Sequence, residues 1–319
     1  MKRFLIVLIM IFLSVFVLSA GGSRNTTAVN EKLNVVATIF PAYDFVRQIA
    51  GDRVNLTMLL PPGTESHSFE PSPRDIITIN NSDVFIYTGG DMDQWINRIL
   101  RSLDNKQLKI LAMMDTVELL MEEIAEGMDH DCDDYDDDCD HEIFHFDEHV
   151  WTSPRNSILI VQAITELLSG ADPANATFYR QNAAAFIAEL RQLDAAFSAV
   201  VAGARRSTIV FGDRFPFRYL ADNYGLSYHA AFSGCSTQTD TSPATIAFLI
   251  NKVRDERIPV VFYIEFSNER IADVIVEATG ARKLLFHSVH NVTRQDFNSG
   301  IGYLELMRRN VENLRIALH

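Results

Sequence analysis

The chain is predicted to fold as an α/β protein, with two lobes built on parallel sheets and joined by one long rigid helix. Three observations carry that prediction. Short β-rich runs at 33–39, 55–60 and 83–88 alternate with helical patterns at 43–50 and 73–80, which is how βα units of a parallel sheet read. The alternation returns later, with strand-like runs at 208–211, 260–264 and 283–286 and helical patterns at 217–223, 243–256 and 269–279. Between the halves, Tyr179, Ala183, Phe186, Leu190, Leu193, Phe197 and Val200 recur every three or four residues, one apolar stripe along a helix of about seven turns. Such a helix is too long for an ordinary βα connection and reads as a spacer between lobes, with a long core helix as the alternative.

The local signals agree. Val, Ile and Leu dominate the strand-like runs, Pro73 stands where a helix begins and tolerates a missing N–H, and Gly280 stops the 269–279 helix. A closing helix over 303–318 carries Leu304, Met307, Val311, Leu314 and Leu318 on one face. The expected division is an export segment over 1–22, a tether over 23–32, an N-terminal lobe over 33–155, a helical connector over 156–202 and a C-terminal lobe over 203–319.

The 319 residues, 47% hydrophobic and 22% charged, are ordinary for a globular protein of two domains. A net charge of −14 argues against nucleic acid as a partner. Residues 129–149 alone hold nine Asp, two Glu and no Lys or Arg, so most of the negative charge sits in one segment. At the start, Lys2 and Arg3 precede an apolar run over 4–18 broken only by Ser14, and small residues follow. That run is too short to span a bilayer and reads as a signal peptide, or as an uncleaved anchor. Leu18-Ser19-Ala20 resembles the start of a lipoprotein box, with Gly21 where the lipidated Cys would stand. The expected location is the periplasm or the outer face of the cytoplasmic membrane.

Three cysteines are too few for a disulfide scaffold, although Cys132 and Cys139, both in the acidic segment, are candidates to pair in an oxidising compartment. Of nine histidines, three stand in distinctive contexts. His67 lies in a stiff loop with Pro61, Pro62, Pro71 and Pro73, His149 stands in Asp147-Glu148-His149-Val150-Trp151, and His287 directly follows a predicted strand. Strand ends are where open α/β sheets place ligands, and neutral imidazoles suit zinc. Each of the three is also compatible with an ordinary loop histidine.

Taken together, several motifs resemble the zinc- and manganese-binding solute-binding proteins of bacterial ABC transporters. They are Thr38-Ile39-Phe40-Pro41-Ala42-Tyr43-Asp44-Phe45, Leu60-Pro61-Pro62-Gly63 with the His67 loop, and Arg74-Asp75. Further on come His149-Val150-Trp151 with Pro154, Tyr224-Gly225-Leu226, and Tyr303-Leu304-Glu305-Leu306-Met307 with Asn310. The resemblance runs from about Leu33 to the end of the chain. It implies two α/β lobes joined by a long helix, a metal between them, a permease of an ABC transporter as partner, and a monomer.

It implies His67 and His149 as ligands and puts His287 at the fourth ligand's place. The family's third ligand position falls on Arg214, which has no lone pair to give. The ligand core is therefore expected to be His67, His149 and His287, with Asp213, Glu265, Cys235 or His290 completing it. Histidine-rich ligation favours Zn2+, with Mn2+ as the alternative. His130, Cys132, Cys139, His141 and His145 in the acidic segment are expected to collect metal weakly beside His149, the plainer reading being a solvated acidic insert. Two other functions remain open. One is a zinc hydrolase using the same three histidines with Glu265 or Asp213 as base, for which no HExxH motif speaks. The other is a metal-dependent adhesin.

Overall fold

In a computed structural model of the chain the described residues are 32–65, 69–90, 93–128, 145–236 and 241–319. The chain divides into Met1–Lys32 and Leu33–His319, and the fold is that of the second unit. The expected export segment, and the expected tether as far as residue 31, lie outside the described residues. No helix among the described residues is long and apolar enough to cross a membrane.

The first sheet is built from β1 (Leu33–Ala37), α1 (Phe40–Ala50), β2 (Val54–Met58), α2 (Pro73–Asn80), β3 (Val84–Tyr87), α3 (Gln94–Ser102) and β4 (Lys109–Ala112). Its strands are all parallel, in the order β2-β1-β3-β4. Two helices follow, α4 (Pro154–Ala171) and α5 (Ala176–Ala202). The second sheet then comes from β5 (Thr208–Phe215), α6 (Arg218–Tyr224), β6 (Ser227–Ser233), α7 (Pro243–Asp255), β7 (Val260–Tyr263), α8 (Arg270–Thr279) and β8 (Arg282–Leu285). Its strands, also parallel, run β6-β5-β7-β8. The chain closes with α9 (Arg294–Ser299) and α10 (Tyr303–Leu318). The two lobes thus share one winding: the second strand is laid on one side of the first, and the third and fourth on the other. In each sheet the winding reverses at the first and third strands, and open α/β sheets hold ligands at the carboxyl ends there.

The long helix α5 has 27 residues. It buries all seven residues of its apolar stripe, with Ile187 beside them. It packs against α4, α1 and α10, so it is both spacer and core helix. One cluster of buried side chains runs from Val35 and Ile86 of the first sheet, through Trp151, Leu190 and Phe197, to Phe211, Phe262 and Phe286 of the second. Separate clusters cover the outer face of each sheet under α2 and α3 on one side and α7 and α8 on the other.

Three helices start by the same device. Ser72, Ser153 and Ser242 each cap with a side-chain oxygen that accepts a backbone N–H three residues on, and each is followed by proline at the first helical position. The sequence reading caught Pro73 but not the repeated Ser-Pro pair. It also missed α3, β4, β6 and α9. β4 (KILA) carries Lys109 and an exposed Ile110 at the sheet edge, and β6 mixes Ser, His and Ala with two aromatics, so neither shows an apolar run.

Asp44, on α1, is fully buried. Its Oδ1 accepts from Arg47 Nε at 2.8 Å and its Oδ2 from the Tyr303 N–H at 2.7 Å. Arg47 also donates to the carbonyls of Gly300 and Ile301. The start of α10 is thereby fixed to α1. Asp44→Ala should cost about 3–5 kcal/mol, because Arg47 loses its buried partner and the Tyr303 N–H its acceptor. Urea unfolding of the two proteins measures it.

Candidate metal centre

His149 sits between β4 and α4, ahead of a single 3-10 turn over Val150–Thr152. A short antiparallel pairing holds this segment in place: Glu122 N–H donates to His145 O and Asp147 N–H to Leu120 O, both at 2.9 Å. His149 is fully buried. Asp147 Oδ1 accepts its backbone N–H at 2.8 Å and lies 3.1 Å from its Nδ1. Burial works against a charged ring. The Asp147 carboxylate and its hydrogen bond, then the charges of Glu148 and Glu122, outweigh that and hold the His149 pKa above its usual value. An ionised carboxylate has no proton to give and can only accept, so Nδ1 carries the proton. In the neutral ring this makes Nε2 the lone-pair nitrogen.

The ring that meets His149 belongs to His290. The two imidazoles stand edge to face, with centroids 4.7 Å apart and planes at 90°. Trp151 packs on both, 5.6 Å from His149 and 4.7 Å from His290. His290 lies in a tightly held turn after β8. Asn310, on α10, accepts the His287 N–H and donates to the His287 carbonyl, each at 2.8 Å. Trp151 Nε1 donates to Ser288 O at 2.9 Å. The His290 carbonyl accepts the Phe40 N–H at the start of α1. Asn291 Nδ2 reaches two carbonyls of the Pro-Gly loop, Pro61 and Thr64, at 2.8 Å each. Val289 sits at φ +64°, a conformation that costs a β-branched residue free energy. The surrounding bonds hold it there.

The other expected ligands fall as follows. His67 lies outside the described residues, as do His130, Cys132, Cys139 and His141, so the expected pairing of Cys132 with Cys139 does too. His145 is exposed in the short antiparallel pairing. His287, expected in the ligand core, is engaged within its own turn. Its Nδ1 accepts the Val289 N–H at 2.9 Å and lies 3.4 Å from Glu265 Oε1, so its lone pair is already used within the turn. Asp213 accepts the Arg214 and Ile264 N–H groups and clamps β5 to the end of β7, while burial raises its pKa. Glu265 accepts the Ser288 N–H and hydroxyl. Cys235 is a free thiol whose N–H donates to Glu122. Burial, then the charges of Asp147, Glu122 and Glu148, hold that thiol well above the usual range. Among the described residues no group of three or more His, Cys, Asp or Glu forms a metal-holding set. The two imidazoles that meet among the described residues are those of His149 and His290.

Arg214, where the resemblance places a third ligand, is mostly buried and pairs with Glu65 at 3.5 Å. Glu65 precedes His67 by two residues, so this ion pair ties the His67 loop to β5. Beside it is a cavity of about 30 Å3 lined in part by Glu65, Arg214, Glu265, Ser288 and His290, about the size of one water molecule. Sequence reading did not pick out Asp147 or Ser288 as partners of the rings. The available signal was weak: a polar side chain two residues before each histidine.

Two parallel-sheet lobes are bridged by helices, and the imidazoles of His149 and His290 meet between them. A model of the periplasmic zinc-uptake complex component A family, ZnuA, matches residues 35–317, and the chain belongs to that family. It is 31% identical over 291 residues to the zinc-binding lipoprotein AdcA of Streptococcus pneumoniae, covering 91% of this chain and 57% of AdcA. It is 27% identical over 300 residues to the high-affinity zinc uptake system protein ZnuA of Bacillus subtilis, covering 94% and 91%. The Zn(II)-bound ZnuA-like domain of S. pneumoniae AdcA superposes with a TM-score of 0.73 at 30% identity, over 90% of this chain and 99% of that domain. The chain therefore spans a little under three fifths of AdcA.

Gly234 closes the wall behind His149. A methyl group there would come 2.9 Å from the Phe215 carbonyl and 3.0 Å from Cε1 of His149. Gly234→Ala should displace the ring and cost about 1–3 kcal/mol of stability. Imidazole NMR shifts of His149 and thermal unfolding together check both effects.

Proposed function

We propose that the protein captures Zn2+ outside the cytoplasm and delivers it to the permease of an ABC transporter, without catalysis. Nε2 of His149 and Nε2 of His290 are the donors contributed by the described residues, and His67 joins them from the Pro-Gly loop. The observation that carries this reading is the buried edge-to-face contact of His149 and His290, from segments far apart in the chain, with Nδ1 of His149 given to a carboxylate. A carboxylate behind an imidazole is the usual arrangement around a histidine that binds zinc. Family membership and the zinc named for AdcA and ZnuA support the same cargo. Three neutral nitrogens favour Zn2+ over Mn2+, which prefers oxygen.

Size and commitment of the surrounding groups support a bare ion as cargo and a carrier as the function. The space beside His290 and Arg214 is about 30 Å3, whereas pockets for organic ligands run to about 300–1,000 Å3. Asp213 and Glu265, the two carboxylates a hydrolase would need as base, are each engaged by two hydrogen bonds from the chain. Arg214 gives its charge to Glu65 rather than to the metal, so water or Cys235 is left to complete a tetrahedral shell.

Competition of the purified protein with a chelator tests the reading. The parent should bind one Zn2+ tightly and prefer it to Mn2+. His149→Ala and His290→Ala should each lose more affinity than the roughly 10–100-fold typical of an outer-shell partner. His287→Ala should bind zinc like the parent while losing about 1 kcal/mol of stability, since the Val289 N–H loses its acceptor. Loss of zinc binding in His287→Ala, with full binding in His290→Ala, would reverse the assignment.

The acidic segment is proposed to gather metal for this site through His130, Cys132, Cys139, His141 and His145. Deleting 129–144 should leave the tight site intact, remove additional weakly held zinc seen by equilibrium dialysis, and slow uptake at low supply.

A further inference from the structure

We infer that Ser288 and Glu265 are positioning residues for metal capture: the chain Glu265–Ser288–His290 fixes the His290 ring with its proton on Nδ1, leaving Nε2 as the donor. The inference rests on the proposed role of His290 as a ligand. Three distances carry it. The Ser288 hydroxyl lies 2.6 Å from Glu265 Oε1 and 3.0 Å from His290 Nδ1. Glu265 Oε2 accepts the Ser288 N–H at 2.7 Å, so the carboxylate acts as an acceptor at both oxygens.

A hydroxyl has one proton to give and two lone pairs. Given to His290, that proton would leave two lone-pair oxygens facing each other across 2.6 Å. Given to Glu265, it leaves a lone pair of the Ser288 oxygen toward Nδ1, which must then supply the proton of that hydrogen bond. A neutral imidazole has one N–H, so Nε2 is bare. The second lone pair of the same oxygen accepts the His290 backbone N–H at 3.3 Å, which locks the hydroxyl from the other side. His149 reaches the same protonation pattern through Asp147 directly. The two rings are therefore prepared alike, one by a carboxylate and one by a carboxylate acting through a hydroxyl, each from the residue two positions earlier.

His287 does not compete for this carboxylate as a donor. Its Nδ1 takes the Val289 N–H, so it has no proton there to offer Glu265. The network therefore directs one ring, His290, and leaves its neighbour as part of the turn. Orientation costs are settled before the ion arrives, which is how outer-shell partners raise affinity.

The test uses the full chain with 15N-labelled histidine and zinc alone as probe. In the metal-free parent, His290 should show the Nδ1–H nitrogen pattern. Ser288→Ala should shift that pattern toward Nε2–H and weaken zinc binding by about 10–100-fold in chelator competition. Ser288→Thr, which keeps the hydroxyl, should restore both. Parent-like affinity and tautomer in Ser288→Ala, with binding lost in His290→Ala, overturns the relay and leaves the ligand assignment standing. A Ser288→Thr variant as impaired as Ser288→Ala also overturns it, because the loss then comes from packing. Parent-like zinc binding in His290→Ala removes the ligand assignment and the relay with it.

Discussion

A turn presents a side chain only as firmly as its own backbone is held, and the turn over 287–291 is held from both lobes. Asn310 grips the peptide groups of His287, Trp151 takes the Ser288 carbonyl, Phe40 takes that of His290, and Asn291 reaches back to the Pro-Gly loop. The left-handed backbone at Val289 survives because these bonds leave it no alternative. Without them His290 would swing freely, and holding a cation against His149 would first require ordering the turn. With them, most of that conformational entropy is lost during folding rather than during binding.

The same bonds join the lobes. Each sheet reverses its winding between its first and third strands, and the segments that follow β1, β5, β7 and β8 meet at the centre. The Pro-Gly loop after β2 is held by Asn291 and by the Arg214–Glu65 ion pair. The centre is thus assembled from connections of both sheets, while α5 and the shared buried cluster fix the distance between them. A partly exposed pair such as Arg214–Glu65 contributes little net stability. Its geometry, which ties β5 to the loop bearing His67, matters more.

Much of this was legible in the sequence. The stripe from Tyr179 to Val200 announced the long helix, because period 3.6 over so many turns has no other regular reading. The apolar strands β1, β3 and β7 were legible for the same kind of reason, being buried on both faces. Edge strand β4 and mixed strand β6 were not, since polar and small residues erase the pattern. At the proposed site, His149 stands out in the sequence by its Val-Trp context. Nothing in the sequence marks His290 off from His287, three residues away in one turn. What separates them is a backbone N–H on one Nδ1 and a serine hydroxyl on the other. Such local hydrogen bonds leave no periodic mark in a sequence. Arg214, by contrast, was legible as a residue that binds no metal, and the structure supplies the partner it serves instead.

On the proposed reading, two imidazoles, at positions 149 and 290, turn the same nitrogen toward one ion. A crystal structure of the zinc-loaded protein, with a map phased on the zinc absorption edge, addresses it most directly. A single strong peak is expected about 2.0–2.1 Å from Nε2 of His149 and from Nε2 of His290. A peak bound by His287, or one that leaves His290 beyond coordinating distance, would contradict it.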